Sequence, residues 1–186
     1  MNVILFGAPG VGKGTQAAIL SERLSIPHIS TGAIFRESIA AGRELGLKAK
    51  EYMDAGRLVP DEITTAIALE KLAAPDCANG FILDGYPRNT AQASALSEAL
   101  EARDCQIDRV IFLIAPLEEL TARMLKRGRG DDSEDVIRTR FEVYERETAP
   151  VLSYYTDRGL VTEVNGLGDV DEVSDRIMAA LTVERE

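Results

Sequence analysis

The chain has few cysteines and no long apolar run, and each shortage excludes a class of protein. Its two cysteines, Cys77 and Cys105, have no cysteine or histidine close to them in sequence, so we expect neither a disulfide scaffold nor a structural zinc site. A reducing, cytoplasmic location fits this pattern. The longest apolar stretches, such as residues 110–115, fall far short of the roughly 20 residues that a membrane helix needs. We therefore expect no membrane partner, and no secretion signal because no basic segment precedes an apolar run at the start.

Positive charge is also scarce. The chain has 21 lysines and arginines against 31 aspartates and glutamates, a net charge of −10. Such a chain repels a nucleic-acid backbone unless its basic residues are gathered in one place, so we expect no nucleic-acid partner. The 45% of apolar and 28% of charged residues are typical of a globular domain, and 186 residues suit a single domain. No long apolar stripe is left unassigned, which favours a monomer.

Short apolar runs alternate with helical patterns along the whole sequence. The predicted strands cover residues 2–6, 27–30, 81–84, 109–115 and 160–164. The predicted helices cover residues 13–24, 31–41, 44–55, 61–73, 90–103, 116–126, 133–157 and 170–181, with Asp61 as a helix cap, Pro116 as a first helical residue and Pro150 as a kink. This order predicts an α/β fold with a five-stranded parallel sheet between two helical layers. The helical stretch between the second and third strands is too long for a plain crossover and predicts a mobile subdomain.

A glycine-rich segment, residues 7–15, joins the first strand to the first helix. It reads GAPGVGKGT, with three glycines before Lys13. Backbone N–H groups can turn inward around a phosphate only where side chains do not obstruct them, and the helix N-terminus adds partial positive charge. Lys13 can reach the β- and γ-phosphates. Gly14 follows Lys13, so the hydroxyl that usually comes next is displaced to Thr15.

A second group of charged residues follows the third predicted strand. Asp84 ends that strand, where a carboxylate can orient water around magnesium. Arg88 comes four residues later, after a Gly-Tyr-Pro turn, and suits bidentate phosphate binding. Five arginines then fall within 18 residues, and in an acidic protein their closeness makes sense if phosphate fills the space between them: Arg123, Arg127, Arg129, Arg138 and Arg140. Of these, we expect Arg138 on the surface.

These motifs together resemble the adenylate kinases over essentially the whole chain. The matching segments are GAPGVGKGTQ at 7–16, STG at 30–32, Arg36, GRLVPDE at 56–62, DGYPR at 84–88, KRGRGDD at 126–132, and the pair Arg138 and Arg140. The resemblance implies a P-loop NTPase fold in one nucleoside monophosphate kinase domain. Its core would comprise residues 1–29, 60–126 and 133–186, with an AMP-binding insert at 30–59 and a lid of the short form at 127–132. It also implies Mg²⁺ with ATP and a reversible transfer of phosphoryl from ATP to AMP that gives two ADP, a reaction of adenine nucleotide balance and purine salvage.

The resemblance also implies roles for individual residues. ATP would be bound by Gly10, Val11, Gly12, Lys13, Gly14, Thr15, Arg123 and Arg127, with the Gly168 backbone near the adenine. AMP would be bound by Thr31, Gly32, Arg36, Arg57, Leu58, Val59, Gly85, Tyr86, Pro87, Arg88, Gln92, Arg129 and Arg140. The catalytic set would be Lys13, Arg88, Arg127, Arg129 and Arg140, and Asp84 would hold magnesium through water.

Two positions bear on the acceptor base and its affinity. Related pyrimidine nucleoside monophosphate kinases generally have alanine where this chain has Thr31, so threonine favours AMP, and the amide of Gln92 can pair with an adenine edge. Ala33 stands where the family commonly has an acidic residue, which affects local capping or affinity rather than the reaction.

A phosphate acceptor is already anionic near neutral pH, so no general base is required. The only histidine, His28, is therefore expected to be structural. Three alternatives remain: a kinase of the same fold that acts on UMP or CMP, a P-loop switch that hydrolyses slowly, and a nucleic-acid-binding ATPase. The first is the nearest competitor, the second leaves the extra arginines unexplained, and the net charge disfavours the third.

Overall fold

The computed structural model describes residues 1–182. Its strands are β1 (Asn2–Gly7), β2 (His28–Ser30), β3 (Phe81–Asp84), β4 (Arg109–Ile114) and β5 (Val161–Asn165). Its α-helices are α1 (Lys13–Leu24), α2 (Thr31–Ala40), α3 (Glu44–Asp54), α4 (Asp61–Leu72), α5 (Thr90–Glu101), α6 (Leu117–Arg127), α7 (Glu134–Val143), α8 (Ala149–Thr156) and α9 (Val170–Thr182). A 3₁₀ turn at Pro75–Asn79 precedes β3.

All five strands pair in parallel in the order β2-β3-β1-β4-β5. Alternate residues of a strand point to opposite faces, and both faces of the central strand are apolar. Ile4 and Phe6 of β1 belong to one buried cluster with residues of α5 and α8, while Val3 and Leu5 belong to a second cluster with residues of α1 and α9. The predicted α/β class, with a parallel sheet between two helical layers, is confirmed. The carboxyl ends of the strands therefore meet along one edge of the sheet.

The helices between β2 and β3 contain a small apolar cluster of their own. Phe35 of α2, Ala49 of α3 and Val59 are buried against one another, with Leu45 and Tyr52 packed beside them. This cluster is separate from the two that cover the sheet. Such packing supports the idea that residues 30–59 form a distinct helical insert, which stays a prediction.

Two local predictions about helix ends were wrong, and the long helix predicted with a kink at Pro150 is irregular just before that residue. Pro60, not Asp61, is the N-cap of α4, and the Asp61 carboxylate accepts hydrogen bonds from Asn89 and Gln92 instead. Pro116 is the N-cap of α6 rather than its first residue. The predicted single helix over 133–157 contains a π-helical segment, Tyr144–Thr148, between α7 and α8. Pro150 lacks the N–H that a continuous helix would use, and the widened turn before it accommodates this loss.

Candidate active site

The glycine-rich loop leaves the N-terminus of α1 open. Gly10 and Gly12 have φ angles of +85° and +103°, a region that side chains disfavour. Gly12 is the N-cap of α1 and no side chain caps the helix there, so its first N–H groups are available to an anion. Lys13 Nζ donates to the carbonyls of Gly7 and Ala8, at 2.7 and 3.0 Å. Burial lowers the pKa of Lys13 to about 8, and the positive charges of Arg88 and Arg140 contribute in the same direction.

Asp84 lies beside this loop at the carboxyl end of β3. Its Oδ2 accepts from Ser30 Oγ at 3.2 Å and lies 3.5 Å from His28 Nε2. Burial alone would raise the pKa of Asp84, but contact with His28 and the charge of Lys13 outweigh it, so the pKa falls below its ordinary value. The carboxylate is therefore ionised near neutral pH. His28 was expected to be structural, and in the structure its imidazole lies against the Asp84 carboxylate.

Arg88 is fixed by the turn that follows β3. Its Nε donates to the Gly85 carbonyl at 2.9 Å, and the same carbonyl accepts from Thr31 Oγ1 at 2.9 Å. The Arg88 backbone N–H donates to Gln92 Oε1 at 2.7 Å. Burial lowers the pKa of Arg88, and the nearby charge of Arg140 lowers it further. Two cations therefore share a poorly solvated space, which an anionic ligand would stabilise.

The Gln92 amide is almost fully buried and already makes two hydrogen bonds. Besides accepting from Arg88, it donates from Nε2 to Asp61 Oδ1 at 2.7 Å. Asn89 Nδ2 also donates to Asp61. An amide has two donors and two acceptor positions, so Gln92 keeps one of each for a ligand. The sequence did not indicate that Asp61 would orient this amide.

Three predicted phosphate-binding arginines converge on one buried carboxylate, Asp132. Arg127 donates to both of its oxygens, Arg140 Nη1 donates to Oδ1 at 3.0 Å, and the Arg129 backbone N–H donates to Oδ2 at 3.0 Å. Arg140 also pairs with Asp131 at 3.1 Å. Asp132 belongs to the motif at 126–132, but no role was predicted for it. The only available signal was its position directly after the arginines.

One cleft of about 680 Å³ brings most of the predicted residues together. Its walls include Gly10, Val11, Gly12, Lys13, Gly14, Thr15, Gly32, Arg36, Asp84, Gly85, Arg88, Arg123, Arg127, Arg129, Arg140 and Gly168. A smaller adjoining pocket is lined by Thr31, Gly32, Arg36, Arg57, Leu58, Val59, Arg88, Gln92 and Arg140. Arg36, Arg88 and Arg140 border both spaces, so the two adjoin each other. Burial, together with the charge of Arg129, lowers the pKa of Arg36 to about 10.

Two residues predicted to bind AMP, Tyr86 and Pro87, lie outside both spaces, whereas Arg138 lies on the surface as expected. Tyr86 is buried in the core, with its hydroxyl near Thr65 and the Gln92 carbonyl, and neither it nor Pro87 lines the cleft or the smaller pocket. Arg138 pairs with Asp135 and is largely exposed, as expected.

Within residues 1–182, no group of three or more His, Cys, Asp and Glu side chains could hold a metal ion. No helix in that same range is long and apolar enough to cross a membrane.

Comparison with known proteins identifies the family. Residues 5–160 match the family model described as adenylate kinase. The chain belongs to the adenylate kinase family. A protein of Nocardia farcinica named adenylate kinase is 50% identical, over 97% of this chain and 99% of its own length. Relatives of the same name from Mycobacteroides abscessus and Bifidobacterium longum are each 52% identical, over 97% of this chain and 99% and 100% of theirs. Family membership makes the protein a nucleotide-binding phosphotransferase, and the shared name does not favour the UMP or CMP alternative.

Proposed function

We propose that the protein transfers the γ-phosphoryl group of ATP to AMP in a reversible, magnesium-dependent reaction that gives two ADP. One observation supports this more than any other. The phosphate loop with Lys13 and the acceptor-side arginines with Arg88 line two adjoining spaces that share wall residues, and Asp84 borders the larger one. A P-loop switch needs only the first of these two sides. The arginines of the second side are explained by a second phosphate-bearing substrate.

The donor nucleotide would lie along α1 and the loop before α9. Its phosphates would be bound by Gly10, Val11, Gly12, Lys13, Gly14, Thr15, Arg123 and Arg127, and the backbone of Gly168 would lie near its adenine. The open helix N-terminus supports this assignment, because its N–H groups and partial positive charge favour phosphate oxygens.

The acceptor would occupy the smaller pocket. Its base and ribose would contact Thr31, Arg57, Leu58, Val59 and Gln92, and its phosphate would be bound by Gly32, Arg36, Gly85, Arg88, Arg129 and Arg140. The free donor and acceptor positions of Gln92 suit the N6 and N1 edge of adenine. The burial of Tyr86 argues for a packing role for it and for the neighbouring Pro87.

Asp84 fits a magnesium site in its chemistry. Its carboxylate is ionised, borders the cleft and lies near Gly14, and oxygen ligands are those that Mg²⁺ prefers. We propose that Asp84 holds the ion through water and that the Thr15 hydroxyl borders the same space. When bound, magnesium neutralises phosphate charge and orients the β- and γ-phosphates.

The residues of the cleft would act by alignment and by charge stabilisation. An oxygen of the AMP phosphate forms the new bond to the γ-phosphorus while the bond to the β-bridging oxygen breaks, and ADP leaves with that electron pair. The attacking oxygen carries no proton, so no base is needed. Lys13, Arg88, Arg127, Arg129 and Arg140 would stabilise the charge on the transferring group. The insert at 30–59 and the connector at 127–132 would close to exclude water, since ATP would otherwise be hydrolysed.

A coupled assay with ADP as the only nucleotide tests the proposal. We expect equal amounts of ATP and AMP to form, and a switch or a simple ATPase would form neither from ADP. An acceptor screen with ATP and AMP, UMP or CMP then decides between the bases. A dinucleotide that bridges both sites should raise the melting temperature above the effect of ATP alone.

The biological setting is proposed with the reaction. Interconversion of adenine nucleotides would serve adenine nucleotide balance and purine salvage in the cytoplasm. We also propose a monomer, which light scattering of the full chain tests directly.

A further inference from the structure

The loop of residues 166–169, between β5 and α9, and the residue on either side of it are held by side chains from three helices. Arg123 of α6 donates from Nη1 to the Gly166 carbonyl at 3.1 Å. Gln16 of α1 donates to the Val170 carbonyl at 2.9 Å. Arg176 of α9 donates from one nitrogen, Nη1, to the carbonyls of Asn165, at 3.0 Å, and Leu167. Because hydrogen bonds from three helices hold this loop, few other backbone conformations are open to it.

These bonds leave the backbone N–H and C=O of one loop residue, Gly168, without partners among the described residues. Gly166 N–H donates to Ile114 O, Leu167 N–H to the Asn165 side chain and Asp169 N–H to Glu172, while Asp169 O accepts from Val173. Within residues 166–169, only the N–H and C=O of Gly168 make no hydrogen bond to another described residue. Gly168 also lines the cleft. Unsatisfied backbone groups at a cavity wall are available to a ligand.

Arg176 and Glu172 pack directly against Gly168. Glu172 Oε2 lies 3.4 Å from Arg176 Nη2 and accepts from Asp169 N–H at 3.3 Å. A Cβ built on Gly168 would collide with the Glu172 carboxylate and would lie 3.2 Å from Arg176 Nη2. An exposed ion pair of this kind stabilises a protein little by itself. The ion pair affects the local shape of the loop instead, because the guanidinium that pairs with Glu172 also donates to the carbonyls of Asn165 and Leu167.

We propose that Arg176 is a positioning residue for the base of the donor nucleotide. By bridging Asn165 and Leu167 and by fixing Glu172 against Asp169, it holds the Gly168 peptide in the orientation in which it meets the base. The inference rests on the proposed function, in which ATP is the donor and its adenine lies near Gly168. It assigns to Arg176 a part in base binding and none in phosphate binding, because Arg176 does not line the cleft.

Initial rates of the Arg176→Ala variant of the full chain test this role. We expect the KM for ATP to rise about five- to tenfold, the effect of losing charge-assisted hydrogen bonds that orient a ligand group, with kcat and the KM for AMP unchanged within about twofold. Inhibition by inorganic tripolyphosphate, which has no base, should be unchanged. Arg176→Lys should recover part of the ATP affinity, since an ammonium group can reach one of the two carbonyls but cannot bridge them as a planar guanidinium does.

Arg23→Ala is the matched control. Arg23 pairs with Asp175, the neighbour of Arg176 on α9, at 2.6 Å, and its guanidinium forms this ion pair rather than one of the hydrogen bonds that hold the loop. The KM for ATP should not change in this variant. An unchanged KM for ATP in Arg176→Ala would overturn the inference, and so would a parallel loss of ATP, AMP and tripolyphosphate binding together with a lower melting temperature. Failure of the proposed function is distinguishable, because the unsubstituted protein would then form no ATP and AMP from ADP.

Discussion

Arg127 donates from Nε and Nη2 to the two carboxylate oxygens of Asp132, at 2.8 and 2.7 Å. These residues begin and end the connector at 127–132, so the segment is closed by an ion pair between its own ends. The Asp132 side chain is fully buried and also accepts from Arg129 N–H and Arg140. Burial would raise the pKa of Asp132, but the hydrogen bonds from Arg127 and the Arg129 N–H, together with the charges of Arg127 and Arg140, outweigh burial and lower it. One carboxylate thus holds the side chains of Arg127 and Arg140 and the backbone of Arg129, and all three residues line the cleft.

Asp132→Asn should destabilise the protein and reduce its activity together. The amide keeps the size of the side chain but removes the negative charge, and three neighbouring cations lose their shared counter-ion. We expect the free energy of unfolding to fall by about 2 kcal/mol, typical of a lost charge-assisted network, and kcat/KM to fall by at least about tenfold. Urea unfolding and initial rates measure the two effects.

Asp135→Asn is the control for this variant. Asp135 pairs with Arg138 on the surface, where both side chains are largely exposed, and such pairs contribute below about 1 kcal/mol. If both variants change stability equally, the buried carboxylate has no special role in the connector.

The activity should depend on the protonation of Lys13. Its pKa is lowered to about 8, chiefly by burial, so the free enzyme keeps the positive charge below this pH and loses it above. Because kcat/KM reports groups of the free enzyme, kcat/KM for ATP should fall as the pH rises through about 8. Bound phosphates stabilise the ammonium form, so kcat at saturating ATP should fall only at higher pH.

Lys13→Arg provides the comparison for the pH profile. A guanidinium stays charged over the whole range, so the alkaline fall in kcat/KM should disappear even though the absolute rate is lower. A wild-type profile that stays flat from about pH 7 to about pH 9.5 would contradict the assignment of this limb to Lys13.

Features that depend on a short stretch of sequence could be predicted closely. The helix at Lys13–Leu24 and the strand at Phe81–Asp84 have the predicted ends, and a glycine stands beside the start of the helix and beside both ends of the strand. The phosphate loop was predictable for the same reason, since its strand, glycines and helix are contiguous. The continuous apolar runs of the strands indicated a sheet buried on both faces, and the sheet has that form.

Features that depend on distant partners could not be predicted. Asp61 has the residue type of a helix cap, but Asn89 and Gln92, which are 28 and 31 residues away, donate to its carboxylate instead. Asp132 is buried only because arginines from the end of α6, the connector and α7 meet around it. Such convergence is a property of the tertiary structure, and no local pattern encodes it.

Alanine at Gly10 should be more harmful to stability than alanine at Gly12. Both positions have positive φ, but a Cβ at Gly10 would lie 2.7 Å from the Leu120 carbonyl, while a Cβ at Gly12 would meet no atom within 4 Å. Gly12→Ala therefore adds backbone strain of about 1 kcal/mol, and Gly10→Ala adds a clash that brings the loss to about 3 kcal/mol. Urea unfolding of the two variants measures the difference, and equal losses would show that the clash is relieved by small shifts.

Thr31→Ala should weaken the preference for AMP. The buried Thr31 hydroxyl donates to the Gly85 carbonyl, which also accepts from Arg88, so it couples the acceptor pocket to the phosphate-binding turn. We expect kcat/KM for AMP to fall about tenfold, consistent with one lost hydrogen bond and a relaxed pocket, and that for CMP to fall less. Thr31→Ser retains the hydroxyl and should stay close to wild type. An unchanged ratio of AMP to CMP activity would remove Thr31 from base selection.

Arg88→Ala should separate activity from stability. Arg88 is held in a poorly solvated site near Arg140, and both burial and that like charge lower its pKa. The charged guanidinium therefore destabilises the ligand-free protein. Removing it should lower kcat/KM by more than about 10²-fold, or roughly 3 kcal/mol of transition-state stabilisation, while the melting temperature stays the same or rises. Arg138→Ala, on the exposed face of α7, should change neither quantity. A loss of stability in Arg88→Ala as large as its loss of transition-state stabilisation would mean that Arg88 supports the fold and that its phosphate-binding role is wrong.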